Sequence, residues 1–216
     1  MKAVLFDLDG TLVDSSEGIT KSVSYALSHF GIHEPDLEKL KVFIGPPLAA
    51  SFEKYYGFSR EQGLSAVSVY RERYNVTGIY ECSLYPGVES CLCTLRERGY
   101  RIGMASSKPE ESCRRILAHF GILSLFDEVT GATMDGRIGT KEEVLREMMG
   151  RWPDLSCDQM CLVGDTMFDV EGAALVNMAC VAVSFGFGDA EEMKRAGAAF
   201  VCDDMGALPD LIEELL

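Results

Sequence analysis

The chain has 216 residues, with 20 Lys+Arg against 34 Asp+Glu and a net charge of −14. Hydrophobic residues make up 47% and charged residues 25%, a balance that excludes intrinsic disorder. The length accommodates one full domain and a smaller one. The acidic balance, with no Lys/Arg run, argues against a nucleic-acid polymer or an anionic membrane surface as partner. No apolar stretch approaches the roughly 20 residues of a membrane span. At the N-terminus one Lys is followed too soon by Asp7 for a secretion leader. The eight cysteines form no CxxC pair and read as small buried hydrophobes in a reducing compartment. A cytoplasmic protein is expected.

In chain order, Ala3 to Phe6 is a continuous apolar run, the pattern of a strand buried on both faces. It meets Asp7 and then Asp9-Gly10-Thr11. Two carboxylates crowded at a strand end repel each other unless a cation or a proton relieves them. Gly10 permits a turn that a side chain would block. A polar strand end entering a turn is the plain alternative. From about residue 15 to 82 the pattern is helical. Ile19, Val23, Ala26, Leu27 and Phe30 line one face, and Gly31 follows. A short helix is expected from Asp36. Leu48, Phe52, Tyr55 and Tyr56 suggest the next helix, ended by Gly57. A third is capped by Ser59, with Leu64, Val67, Tyr70 and Tyr74 as its stripe. Arg71 and Arg73 are within reach of a substrate anion, although a solvated helix face is the plain reading.

Beyond residue 83, strands and helices alternate. Val88, Cys91, Leu92 and Leu95 form a helical stripe after Pro86-Gly87. The run Ile102 to Ala105 predicts a strand that ends in Ser106-Ser107-Lys108-Pro109-Glu110. Ser107 and Glu110 have capping-box spacing, so a helix is expected to begin there and to offer its free N–H groups to an anion. Cys113, Ile116, Leu117 and Phe120 are its stripe, and Gly121 stops it. Thr140 and Glu143 form a second capping box. Lys141 then falls in the first helical turn, where the helix dipole disfavours a cation, which implies a negative partner nearby. Val144, Leu145 and Met148 continue that helix. Met160 to Val163 predicts a strand ending in Gly164-Asp165, and Asp169 lies one helical turn beyond Asp165. Cys180 to Val183 and Ala199 to Val201 are the last predicted strands. Phe185-Gly186-Phe187-Gly188 is not a dinucleotide fingerprint and reads as a loop. The alternation predicts an α/β fold with a doubly wound parallel sheet.

All four chemistry-bearing segments fall on one edge of that sheet. Together they supply three or four carboxylates, a hydroxyl, an ammonium and a helix N-terminus. Hard oxygen ligands suit magnesium, and the anion site with Lys141 suits a phosphate.

The ordered set Asp7-x-Asp9-Gly10-Thr11, Ser106, Lys141 and Gly164-Asp165-x-x-x-Asp169 resembles the haloacid dehalogenase superfamily over the whole chain. DLDGTLVDS, from Asp7 to Ser15, resembles its phosphoglycolate phosphatase-like branch, whose relatives include 5′-nucleotidases. The resemblance implies a Rossmann-like core over residues 1–14 and 83–216, with an all-helical cap inserted at 15–82. It implies Asp7 as nucleophile, Asp9 as general acid and then base, and Ser106 and Lys141 as catalytic groups. Phosphate would be held by Ser106, Ser107 and Lys141. Magnesium would be held by the Asp7 side chain, the Asp9 backbone carbonyl and Asp165, with Asp169 in support. Ser106 stands where many relatives have threonine, and either supplies a hydroxyl. The loop Phe43-Ile44-Gly45-Pro46-Pro47 would face the site, and hinges would fall near Ser15–Gly18 and Glu81–Tyr85. The expected activity is magnesium-dependent hydrolysis of a small phosphate monoester resembling phosphoglycolate, by a monomer or homodimer. A 5′-nucleotidase, a sugar phosphomutase and an inactive phosphate-binding relative are the alternatives.

Overall fold

The structure, a computed structural model, describes residues 1–135 and 137–216. The chain forms two compact units, Met1–Val13 with Leu84–Leu216, and Asp14–Ser83.

In chain order the elements begin with strands β1 (Ala3–Phe6) and β2 (Val13–Asp14). Helices α1 (Ser16–His29), α2 (Leu48–Tyr56) and α3 (Arg60–Tyr74) follow, then β3 (Ser83–Leu84), which pairs with β2. The rest alternates: α4 (Val88–Glu97), β4 (Arg101–Pro109), α5 (Glu110–His119), β5 (Glu128–Ala132), α6 (Lys141–Arg151) and β6 (Met160–Gly164). It ends with α7 (Met167–Leu175), β7 (Ala179–Val183), α8 (Ala190–Ala196), β8 (Phe200–Cys202) and α9 (Leu208–Leu215).

The larger unit is built on a six-stranded sheet in the order β5-β4-β1-β6-β7-β8, with every pair parallel. The order reverses at β1, which lies between β4 and β6. A doubly wound sheet opens its crevice at the carboxyl ends of the strands beside such a switch point. Ala3, Val4, Leu5 and Phe6 are fully buried, which explains why β1 reads as an unbroken apolar run rather than an alternating one. On one side of the sheet Leu5, Met160 and Leu162 pack with Val144, Leu145 and Met148 of α6 and Val170 and Ala173 of α7. Each such aliphatic side chain contributes roughly 1.5–3 kcal/mol on burial.

Two strand expectations change. β5 carries Glu128 and Gly131 within five residues, and this weak strand composition hid it from the sequence. β4 does not stop at Ala105 but runs to Pro109, and α5 starts at Glu110 after Pro109 with no side-chain cap. The expected Ser107–Glu110 capping box is therefore absent: Ser107 lies inside β4, because the strand stays paired with β5 through a register shift between Ser106 and Pro109.

The smaller unit is helical. α1 buries Ile19, Val23, Ala26 and Leu27. Phe43, at the end of a 3-10 helix over Leu37–Phe43, packs its ring 4.8 Å from that of Phe52 in α2. The cap of α3 is a capping box between Ser59 and Gln62. Its buried face is Gly63, Ala66, Val69, Tyr70 and Tyr74, while Leu64 is 58% exposed. The expected stripe through Leu64 and Val67 is thus rotated, because the small residues Gly63 and Ala66 let the helix lie close to its neighbours. Arg73 pairs with both oxygens of Glu81 and with the Ser22 hydroxyl, so it braces this unit, whereas Arg71 is exposed. Among the described residues, no helix is long and apolar enough to cross a membrane.

Candidate active site

The site begins where β1 ends. The Asp7 amide donates to the Val163 carbonyl of β6 at 2.9 Å, which fixes the backbone just beyond the last paired strand residue. The chain then turns at Gly10, which has φ +83°, and the Gly10 amide donates to the Val13 carbonyl at 2.8 Å. This turn keeps Asp7 and Asp9 at the strand mouth.

Lys141 enters from the N-terminus of α6. Thr140 and Glu143 close the predicted capping box around it. Its ammonium lies 2.9 Å from Asp7 Oδ1 and 2.8 Å from Asp169 Oδ1, and donates to the Ala105 carbonyl at 2.8 Å. The negative partners implied by a lysine in a first helical turn are therefore Asp7 and Asp169. Burial disfavours the ammonium, but Asp169 and Asp7 outweigh it and raise its pKa above the ordinary lysine value. The lysine stays charged.

Asp165 follows β6 and is fully buried. Its Oδ1 accepts from the Thr11 hydroxyl at 3.2 Å and its Oδ2 from the Phe187 amide at 2.8 Å. Asp169, one helical turn on, caps α7: its Oδ2 accepts from the Thr166 amide at 3.0 Å and the Thr166 hydroxyl at 2.8 Å. Both Asp169 oxygens are thus engaged, Oδ1 by Lys141 and Oδ2 by Thr166. Ser106, in β4, is buried, and its hydroxyl acts to lower the pKa of Asp7. Ser107, the next residue of β4, is partly buried.

Carboxylate oxygens of Asp7, Asp165 and Asp169 lie within 4.8 Å of one another. Burial raises the pKa of Asp165 well above the usual carboxylate value, and the charges of Asp169 and Asp7 raise it further. Burial likewise raises Asp7, against the attraction of Lys141. Four carboxylates (Asp7, Asp9, Asp165 and Asp169) face the ammonium groups of Lys141 and Lys108. The excess of two negative charges is what a divalent cation offsets, and an all-oxygen donor set suits magnesium. The residues present therefore fit the ion.

Two contributors escaped the sequence. Lys108 reaches across from the end of β4 to both oxygens of Asp9, at 2.8 and 3.0 Å. A lysine two residues after Ser106 was the available signal, but the expected helix start masked it. The second is the loop after β7. A Cβ on Gly186 would lie 2.3 Å from Asp165 Cβ and 2.4 Å from the Gly10 carbonyl oxygen, so only glycine lets this loop press its Phe187 amide onto Asp165. The Asp9 carboxylate stands apart from the three-carboxylate cluster, on Lys108.

The comparisons with known proteins fall on this same frame. The family model for haloacid dehalogenase-like hydrolases matches residues 4–183, a span holding Asp7, Asp9, Ser106, Lys108, Lys141, Asp165 and Asp169. The chain belongs to that family. It is 40% identical over 210 residues to a 5′-nucleotidase of Pseudomonas aeruginosa, covering 97% of this chain and 95% of that one. It is 29% identical to a phosphoglycolate phosphatase of Rhodospirillum rubrum, covering 97% of this chain and 90% of that protein. A crystal structure described as a predicted phosphatase from Clostridium acetobutylicum superposes with a TM-score of 0.95 at 41% identity, over 99% of both chains. As a haloacid dehalogenase-like hydrolase, the chain has strands β1 to β7 and the four carboxylates of its site on one family match.

Proposed function

We propose that this hydrolase is a magnesium-dependent phosphoric monoester hydrolase that works through an aspartyl-phosphate on Asp7. The observation that carries the reading is the buried cluster of Asp7, Asp165 and Asp169 joined by the Lys141 ammonium. A carboxylate oxygen of Asp7 attacks phosphorus. The bond to the leaving oxygen breaks, its electron pair stays on that oxygen, and Asp9 supplies the proton. Water then attacks phosphorus and gives a proton to Asp9. The bond to Asp7 breaks and inorganic phosphate leaves. Covalent capture divides one difficult displacement into two easier ones. Ser106, Ser107 and Lys141 hold the phosphoryl oxygens, and Lys141 offsets the charge that would otherwise repel an anionic substrate from Asp7. Magnesium, held by the Asp7 and Asp165 side chains and the Asp9 carbonyl with Asp169 in support, supplies positive charge at the phosphoryl group.

The helical unit Asp14–Ser83, inserted in the chain between the Asp7 and Ser106 segments, is the part we assign to choosing the leaving group. The substrate is a small phosphate monoester. Phosphoglycolate and nucleoside monophosphates are the two classes, and the higher identity to a 5′-nucleotidase supports placing the nucleotides first in a screen. The eight free cysteines support a cytoplasmic setting. The test is phosphate release across a panel of both classes, with magnesium and with excess chelator. Selective release that chelator abolishes is expected. Full activity in chelator, or no release from any monoester by folded protein, would overturn the reading.

A further inference from the structure

Each carboxylate of the Asp7-x-Asp9 pair has its own ammonium. Lys141 serves Asp7 and Asp169. Among the described residues, the cation paired with Asp9 is Lys108. That pair is well enclosed, with 8% of the lysine side chain and 15% of the aspartate side chain exposed. Both Asp9 oxygens accept from this one ammonium, a charge-assisted contact that holds the carboxyl group in place.

The backbone beneath Lys108 is built to hold it there. β4 shifts register against β5 between Ser106 and Pro109, the stretch that carries Lys108. The Lys108 amide donates to the Ser106 hydroxyl at 3.3 Å, and the Cys113 thiol donates to the Lys108 carbonyl at 3.7 Å. Opposite lies Gly131 of β5, where a Cβ would stand 2.5 Å from the Lys108 carbonyl oxygen and 2.5 Å from the Glu110 amide nitrogen. Any side chain at 131 would push the segment off the sheet. The lysine that reaches Asp9 is thus anchored by the same strand that presents Ser106.

We propose that Lys108 is a positioning residue for Asp9, holding its carboxyl group where, protonated, it gives its proton to the leaving oxygen and, as the carboxylate, takes one back from the attacking water. The inference rests on the acid role given to Asp9 above. The two lysines then have separate roles. Lys141 acts at the phosphoryl group, and Lys108 acts through Asp9.

The leaving group tells these roles apart. An alkyl oxygen needs a proton to depart, whereas p-nitrophenolate departs without one. The experiment is single-turnover release of the leaving group from p-nitrophenyl phosphate and from the best alkyl phosphate of the panel. It compares wild type with Lys108→Met, Lys108→Gln, Lys108→Arg and Asp9→Asn, with circular dichroism to establish folding. Lys108→Met and Lys108→Gln are expected to slow alkyl release by about 10–100-fold, the cost of a misplaced catalytic group, while nitrophenol release and both KM values stay near wild type. Lys108→Arg should recover most of the loss. Asp9→Asn should show the same discrimination more strongly, by about 10²–10⁴-fold. Equal slowing of both substrates by the Lys108 variants, or a raised KM with unchanged kcat, would overturn the proposal by placing Lys108 on the phosphoryl group. If Asp9→Asn discriminates and the Lys108 variants do not, the Lys108 role alone falls. If Asp9→Asn does not discriminate, the acid role of Asp9 falls and takes this proposal with it.

Discussion

At the residue scale the site is governed by how its carboxylates share charge. Among the described residues, Asp165 has a hydroxyl and a backbone amide as its hydrogen-bond partners, and no cation. Burial and the charges of Asp169 and Asp7 therefore raise its pKa well above 3.8. The sign of the consequence is definite. Without metal the folded protein keeps a proton that the unfolded chain releases, so stability is highest below the unfolded value and falls as pH rises through the folded one. A metal that binds this carboxylate must displace the proton. Magnesium affinity should therefore rise with pH across the window above 3.8, with protons released on binding. Calorimetric titration in two buffers of different ionisation enthalpy measures that release. Affinity independent of pH, with no proton released, would contradict the assignment of Asp165 as a ligand.

At the element scale, strand ends and helix starts do the positioning. β1, β4 and β6 deliver Asp7, Ser106 and Asp165, and α6 delivers Lys141. Lys141 occupies a first-turn position that the dipole disfavours by a few tenths to about 1 kcal/mol. Its side chain instead reaches Asp7, Asp169 and the Ala105 carbonyl, and the Thr140–Glu143 box secures the turn that carries it. Thr140→Ala removes the acceptor for the Glu143 amide. It should lower stability by about 1 kcal/mol, read as a lower denaturation midpoint at unchanged slope. An unchanged midpoint would mean that the box contributes nothing to holding α6.

Much of this arrangement was legible as one-dimensional pattern. An unbroken apolar run ending in an acid marks a buried parallel strand and its mouth, and this located Asp7 and Asp165. The Thr140–Glu143 spacing marked the start of α6. What stayed hidden depends on contacts across the sheet. β5 has only Val129 and Thr130 as strand formers between Glu128 and Gly131, and is held by pairing with β4. That same pairing carries β4 past Ser107, where local spacing favoured a helix, and it aims Lys108 at Asp9. The grip of the 185–188 loop on Asp165 depends on what a glycine Cβ would strike, which no spacing reveals. The face of α3 was misjudged for the same reason, since small residues turn inward where helices approach closely.

For the whole molecule, a net charge of −14 sets up a field that disfavours anionic substrates. In the proposed reaction, local positive charge overcomes it where the phosphoryl group would meet Asp7. Everything proposed for the reaction therefore depends on Asp7 as the atom source of the covalent bond. Acid quenching of the enzyme during turnover, followed by mass spectrometry of its peptides, detects that bond itself. One phosphoryl group is expected on the peptide containing Asp7 and none on Asp7→Asn, which is expected to fold without turning over. Turnover by Asp7→Asn at the wild-type rate, or a phosphoryl group on another residue, would contradict the assignment.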